Sequence, residues 1–379
     1  MKVQGEGIFF SCGEVSGDGY AAALARSLRK RGFDGPFFGM GGPAASGAGA
    51  DILKDSRELH LMGISDVIPA IPRLLKLKKE HLRLIMSRNP PAAVLIDSPD
   101  FHLPLAAALR KEGWEGPVVS LVPPTVWAWR SGRVKALRRY FDLCLPLFRF
   151  EHEYLQDRGA VSAWQGHPLV GDFQGPLLKA PGKRIALLPG SRRSEVFRLL
   201  PALKKCACLL KEKGYDPVFS IAPGMPEELR ERLREELSGY GIWEGSGRDL
   251  IASSLAVAGA SGTVAVEAMM LGRFMAVLYR GSFTSWLAWR ALVKTPCISI
   301  PNLLAGEEVY PELIQGRATG ENAFKALVAY LEDESFRTKT DCLLAKGKTA
   351  MGLPGAADFW AGQILELADA SRLRREAGK

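Results

Sequence analysis

Short apolar runs alternate with helical patterns along almost the whole chain, and this rhythm constrains the fold more than any other feature. Ile8–Cys12, Pro36–Gly39, Ala92–Ile96, Val118–Val122 and Leu143–Leu147 read as strands, with Tyr20–Arg31, Leu103–Lys111 and Glu151–Arg158 between them as helices. Such alternation implies βαβ units, because parallel strands need a crossover and the crossover helices cover both faces of the sheet. The rhythm breaks at Gly166–Lys183, a Pro/Gly-rich stretch that predicts a linker. It restarts with strand Ile185–Leu188, helix Glu195–Lys213, strand Val218–Ala222, helix Glu227–Leu237, a strand near Leu255–Ala258, helix Val264–Leu271 and strand Phe274–Tyr279. From about Glu321 onward only helices are expected. At ~150 residues per domain, 379 residues suit two domains. The expected architecture is therefore α/β: two Rossmann-like domains with parallel sheets facing a central cleft, at 1–168 and 169–340. Residues 341–379 are expected to form C-terminal helices returning to the first domain.

With 47% hydrophobic and 24% charged residues, the chain has ample material for a core, and extended disorder is not expected. No apolar run reaches the ~18 residues of a spanning helix, and Ile8–Cys12 is too short for a signal peptide, so a soluble, unexported chain is expected. The six cysteines (12, 144, 206, 208, 297 and 342) contain no C-x-x-C pair and read as reduced thiols. Neither they nor the five histidines show metal-ligand spacing, so no metal site is expected. The net charge of +9 favours an anionic partner: nucleic acid, a phosphorylated small molecule or an acidic membrane. Nucleic acid is disfavoured, because the basic residues are spread along the chain and no nucleic-acid-binding motif appears.

In open α/β sheets ligands bind at the carboxyl ends of strands, so the strand-to-helix loops carry the functional signal. Four stand out. SCGEVSGDGY (11–20) follows the first strand; its glycines 13, 17 and 19 do not fit G-x-G-x-x-G, and it serves either as a tight turn or as a ligand-contacting loop through Gly13, Glu14, Ser16 and Gly17. LPGSRRSEV (188–196) places Gly190, Ser191 and Arg192 at a helix mouth. Backbone amides, helix dipole and guanidinium there suit a diphosphate, the alternative being a solvated basic turn. GASGTVAVEAMMLG (259–272) offers Ser261, Gly262 and Thr263 at another helix N-terminus, with Glu267 on the same face, either ribose-binding or a surface glutamate. VLIDSPDFHL (94–103) ends a buried strand in Asp97, whose position suits a general base, followed by Asp100 and His102, which also read as residues capping or solvating the next helix.

One further stretch has an amphipathic period. Ile64, Val67, Ile68, Ile71, Leu74 and Leu75 share one helix face, with Arg73, Lys76, Lys78 and Lys79 at its far end. Pro69 and Pro72 are expected to break strict helicity in its first half. The face either packs into the core or binds an anionic bilayer at its interface. A second apolar cluster, Phe283, Trp286, Leu287, Trp289 and Leu292, lies near Arg290 and Lys294.

Taken together, SCGEVSGD (11–18), MGISDVIPAIPRLL (62–75), LIDSPDFHLPLA (95–106), PPTVWAWRSGRVKALRRYFD (123–142), GHPLVGD (166–172), LLPGSRRSEV (187–196), ASGTVAVEAMMLG (260–272) and LVKTPCISIPNLLAGEEVYPELIQ (292–315) resemble the lipid-A-disaccharide synthase family, nucleotide-sugar glycosyltransferases of GT-B architecture. The likeness runs collinearly through essentially the whole chain, and the W-A-W and IPNLLAGEE segments are its specific parts. The resemblance implies an inverting transfer from UDP-2,3-diacylglucosamine to 2,3-diacylglucosamine 1-phosphate, giving a β-1,6-linked disaccharide phosphate and UDP. It implies Asp97 as general base, Arg192 on the diphosphate, Ser261, Gly262 and Thr263 over the UDP phosphates, Glu267 on the ribose and Asn302 as a required asparagine. Ser98 departs from the family's usual alanine, and Ile300 from its leucine. No cofactor is implied. The implied partners are the two lipid sugars and the anionic cytoplasmic face of the inner membrane, reached through Met62–Lys79, and a homodimer is compatible with the resemblance. The nearest rivals are a nucleotide-sugar epimerase and a peptidoglycan-type glycosyltransferase.

Overall fold

A computed structural model describes residues 7–59, 64–173, 182–281, 295 and 297–377, with only the backbone described at 64–70. The chain divides into two compact units, Met1–Pro168 with Leu353–Lys379, and Leu169–Gly352. Each is built on a six-stranded sheet whose strand pairs are all parallel.

In the first unit β1 (Ile8–Cys12), β2 (Phe37–Gly41), β3 (Asp51–Asp55), β4 (Ala93–Ile96), β5 (Val118–Leu121) and β6 (Leu143–Leu145) are ordered β3-β2-β1-β4-β5-β6. The central strand β1 is buried throughout, which explains why its sequence does not alternate with polar residues: a strand covered on both faces has no solvent side to alternate toward, and its one polar residue, Ser11, is itself buried. Ile8 and Phe10 face one core layer, with Leu24 and Leu28 of helix Val15–Lys30 and Trp360 and Ile364 of helix Ala356–Ala377. Phe9 faces the other, with Leu77 and Ile85 of helix Ile64–Arg88 and Leu105 and Leu109 of helix Pro99–Lys111.

The second unit repeats the scheme. β7 (Arg184–Leu188), β8 (Asp216–Ser220), β9 (Gly241–Trp243), β10 (Ala256–Ala260), β11 (Phe274–Tyr279) and β12 (Glu312–Ile314) are ordered β12-β11-β10-β7-β8-β9. Counted from the first strand of each unit, both orders are 3-2-1-4-5-6, the doubly wound arrangement whose switch point lies between its first and fourth strands. Those strands are β1 and β4 in one unit, β7 and β10 in the other.

Several expectations need correction. The first helix begins at Val15, not Tyr20, so Ser16, Gly17 and Gly19 are helical and the loop after β1 is only Gly13–Glu14. Helix Ile64–Arg88 runs unbroken through Pro69 and Pro72. Each proline removes one N–H from the helix ladder, and the flanking turns still carry the chain through. The expected boundary at 340 falls inside helix Glu334–Ala350, so the divide lies after Gly352 instead. That helix is held in the second unit at Gly347, where an added Cβ would come within 2.6 Å of Met269 Sδ. Strands β3, β9 and β12 are absent from the sequence reading; all three lie at sheet edges, and β3 is half-exposed and charged, without the apolar run that marks a central strand.

Candidate active site

In the first unit the switch point is occupied by a carboxylate. Asp97 follows β4, and its Oδ1 accepts a hydrogen bond from the N–H of Gly13, in the loop after β1, at 3.1 Å. The neighbouring Ser98 hydroxyl donates to the same oxygen at 2.6 Å. Oδ2 is buried and has no hydrogen-bond partner among the described residues. Burial pushes the Asp97 carboxyl up to about 6, against the opposing pull of the Ser98 hydroxyl and the N–H groups of Gly13 and Glu14. Such a group is largely ionised at neutral pH yet basic enough to take a proton.

The surrounding sequence exists to fit this carboxylate. A Cβ at Gly17 would lie 1.9 Å from Asp97 Oδ2, and one at Gly13 would lie 2.1 Å from Ser98 Oγ. The two glycines permit close approach, which explains a glycine pattern that matches no dinucleotide fingerprint. Asp97 and Ser98 both take left-handed backbone, with φ of +53° and +41°, a strain that costs of order 1–3 kcal/mol each and persists only where packing enforces it. Part of that enforcement comes from His102. Its Nδ1 lies 2.8 Å from the Asp97 carbonyl and its Nε2 lies 2.8 Å from Ser11 Oγ. Because a carbonyl only accepts, Nδ1 carries the proton and Nε2 accepts from Ser11. Burial lowers His102 to about 4, so the ring is neutral and acts as a fixed strut. This replaces the sequence reading of His102 as a solvated capping residue.

Glu14 and Ser16 are exposed beside this site. Asp18, which sequence reasoning passed over, is buried and accepts from the N–H groups of Gly42, Ala44 and Ala45 at 2.8, 2.8 and 3.1 Å, tying the first helix to the segment after β2. Asp100 does not cap: it sits in the first turn of helix Pro99–Lys111, paired with Arg130 and Arg133. The W-A-W segment is anchored by Trp127, whose indole N–H donates to the buried Glu151 at 2.9 Å. Burial pushes Glu151 up to about 7.

In the second unit the register pairs Gly259 with Leu188, so the loops after β7 and β10 emerge side by side. A Cβ at Gly259 would lie 2.4 Å from the Leu188 carbonyl, which makes the adjacency depend on glycine. Gly190 has φ of +102°, Ser191 follows it, and Arg192 is the N-cap of helix Arg193–Glu212. Here the structure adds to the sequence reading. The Glu195 carboxylate packs against the turn at the helix mouth, where a Cβ at Gly190 would lie 2.1 Å from its Oε2, and the Ser191 and Arg192 N–H groups nearby pull against the burial that raises its pKa. The second loop is open by comparison: Ser261 and Gly262 (φ of +146°) lead into helix Thr263–Met270, and Gly262 and Thr263 are exposed. Glu267 is half-buried, with Arg248 at 3.6 Å, and Arg248 also reaches Asp172 at 3.5 Å.

Asn302 is placed differently from expectation. Its Nδ2 donates to the Tyr310 carbonyl at 2.9 Å and to Glu312 Oε1 at 3.0 Å, and its Oδ1 accepts from the N–H groups of Val309 and Tyr310 at 3.0 and 2.8 Å. Two donors and two acceptor positions are all an amide has. Asn302 thus pins the Val309–Glu312 segment through all four of these positions. It lines a cavity of about 470 Å³ together with Cys297, Glu307, Glu312 and Arg317.

On helix Ile64–Arg88, Ile71 and Leu75 are 46% and 50% exposed and Leu74 is half-buried. The side chains of Ile64, Val67 and Ile68, and the cluster Phe283–Leu292 with Arg290 and Lys294, lie outside the described residues. Among the described residues no helix is long and apolar enough to cross a membrane, and no group of three or more potential metal ligands occurs.

Comparison with known proteins gives the family and the fold. A model of the lipid-A-disaccharide synthetase family matches residues 8–351. The chain is similar to lipid-A-disaccharide synthase of Myxococcus xanthus (strain DK1622), with 35% identity covering 97% of this chain and 98% of that one. Among solved structures, a putative UDP-N-acetylglucosamine 2-epimerase from Listeria monocytogenes superposes with a TM-score of 0.64 at 13% identity, covering 94% of each chain. The spinosyn rhamnosyltransferase SpnG does so with a TM-score of 0.57 at 17% identity, covering 93% of this chain and 98% of that one. These two likenesses show the shared fold, which is the GT-B arrangement of two Rossmann-like domains.

Proposed function

The chain belongs to the lipid-A-disaccharide synthase family, glycosyltransferases of lipid A biosynthesis, and we propose that it joins UDP-2,3-diacylglucosamine to 2,3-diacylglucosamine 1-phosphate with inversion at the anomeric carbon. The observation that carries this reading is Asp97: a buried carboxylate, fixed through Oδ1, with Oδ2 unpartnered. In the proposed step Oδ2 takes the proton of the acceptor's 6-hydroxyl as that oxygen attacks the donor's anomeric carbon. The bond from that carbon to the diphosphate breaks, UDP leaves with the electron pair, and a β-1,6 linkage forms. The charge developing on the diphosphate is met by Arg192 and by the Ser261–Gly262–Thr263 turn at its helix N-terminus. Glu267 receives the ribose hydroxyls.

Both substrates carry acyl chains, and the exposed Ile71 and Leu75 beside Arg73, Lys76, Lys78 and Lys79 support peripheral attachment to the anionic cytoplasmic face of the inner membrane. The test of the reaction is UDP release from the diacylated donor with and without the monosaccharide acceptor. Acceptor-dependent release supports transfer, whereas turnover of donor alone would point to an epimerase.

A further inference from the structure

The proposed step leaves one charged cluster beside Asp97 unused. Asp100 lies three residues on, in the first turn of the 13-residue helix Pro99–Lys111, and a single oxygen of its carboxylate, Oδ1, takes both arginines. Arg130 Nη1 donates to it at 3.1 Å, and Arg133 Nη2 donates to the same atom. Both guanidiniums lie over the Trp129 ring, at 4.3 and 5.6 Å from its centroid. The Asp100 side chain is 74% exposed and that of Arg133 only 16%. Arg130 is held in left-handed backbone, with φ of +47°.

This is a poor arrangement for a purely structural ion pair. Two cations share one oxygen of one solvated carboxylate, which leaves an excess positive charge and most of their N–H donors without that partner. The bidentate geometry that makes arginine–carboxylate pairs strong is absent. An indole platform beneath guanidiniums orients their edges outward, and the helix N-terminus adds partial positive charge. A phosphate monoester, with a charge of about −1.5 to −2 at neutral pH and three acceptor oxygens, matches two arginines where one carboxylate does not.

We propose that Arg130 and Arg133, stacked on Trp129, bind the phosphate monoester of the acceptor sugar, and that Asp100 holds the site in its absence and is displaced on binding. The proposal rests on the transferase reading, since it places the acceptor's anion against Asp100, three residues after Asp97, on arginines of the segment that follows the adjacent strand β5. A membrane-lipid headgroup carries related phosphate chemistry, so the test separates the two sources.

The experiment compares the full-length wild type with Arg130→Gln and Asp100→Asn. It measures KM for donor, for 2,3-diacylglucosamine 1-phosphate and for the dephosphorylated acceptor. In parallel it follows glucose 1-phosphate binding and binding to phosphatidylglycerol vesicles. Arg130→Gln is expected to raise KM for the phosphorylated acceptor about tenfold or more, leave donor KM unchanged and abolish the preference for phosphorylated over dephosphorylated acceptor. Asp100→Asn is expected to tighten glucose 1-phosphate binding severalfold, and all three proteins should bind vesicles alike. Retained acceptor preference in Arg130→Gln overturns the proposal, and loss of vesicle binding alongside it assigns the arginines to lipid headgroups instead. If Arg130→Gln does not fold, Asp100→Asn decides alone: unchanged or weaker glucose 1-phosphate binding contradicts the placeholder role. Arginine-dependent glucose 1-phosphate binding by a chain that forms no disaccharide would sink the transferase reading and keep the anion site.

Discussion

Asp97 couples function to stability in a way that can be measured. Its folded-state carboxyl titrates near 6, above its ordinary value of 3.8, so the folded protein binds more protons than the unfolded chain between those pH values. Stability is therefore expected to fall as pH rises from about 4 through 6, by about 3 kcal/mol for this one group. Asp97→Asn, which cannot ionise, should melt above wild type at pH 8, with the gap closing toward pH 4, while turnover drops by about two to four orders of magnitude. A folded Asp97→Asn enzyme with full activity would remove Asp97 from the base role. Ser98→Ala deletes the 2.6 Å donor that favours the ionised carboxylate, so the acid limb of its pH–rate profile should move to higher pH; an unmoved limb would mean Ser98 does not tune the base. At this scale the position of Asp97 was legible in the sequence, because it closes the apolar run that became β4. The hydrogen bonds of His102 and Asn302 were not legible. The roles of these two residues are set by partners such as Ser11, Tyr310 and backbone amides, and no spacing rule reveals a hydrogen bond across 91 residues.

Among the elements, helix Ile64–Arg88 carries the membrane proposal. Leu77 and Ile85 turn into the core, while Ile71 and Leu75 remain exposed. Substituting these two with serine should change stability by no more than about 0.5 kcal/mol each, as for other solvent-facing positions, yet weaken binding to anionic liposomes at least tenfold. Unfolding of the Ile71→Ser/Leu75→Ser protein, or unchanged liposome binding, would contradict the membrane role. The amphipathic period was visible in the sequence, but its continuity was not, because two prolines argue locally against a helix that its surroundings sustain. The strands β1 and β11 were legible to the residue for the opposite reason: they are short, predominantly apolar runs. Edge strands such as β3 carry charge and borrow their geometry from a neighbour.

On the scale of the whole molecule, the two units share one strand order, and each places its candidate residues at its own switch point. The alternating pattern predicted that architecture, while the point where the chain leaves the second unit, after Gly352, lies just beyond a helix that packs at Gly347 against Met269. The last helix belongs to the core of the first unit. Trp360 is buried against Tyr20, with ring centroids 6.0 Å apart, and Lys30 pairs with Asp358 at 2.7 Å. Trp360→Ala should cost about 3–5 kcal/mol and lower the melting temperature accordingly; a change below 1 kcal/mol would show that the helix is dispensable to the fold. The central claim, that one base and one leaving diphosphate accomplish a single displacement, is tested most directly by the anomeric configuration of the disaccharide formed from the α-linked UDP-diacylglucosamine donor. Proton NMR of the product should show a β linkage to the acceptor's 6-oxygen, and an α linkage would contradict the account.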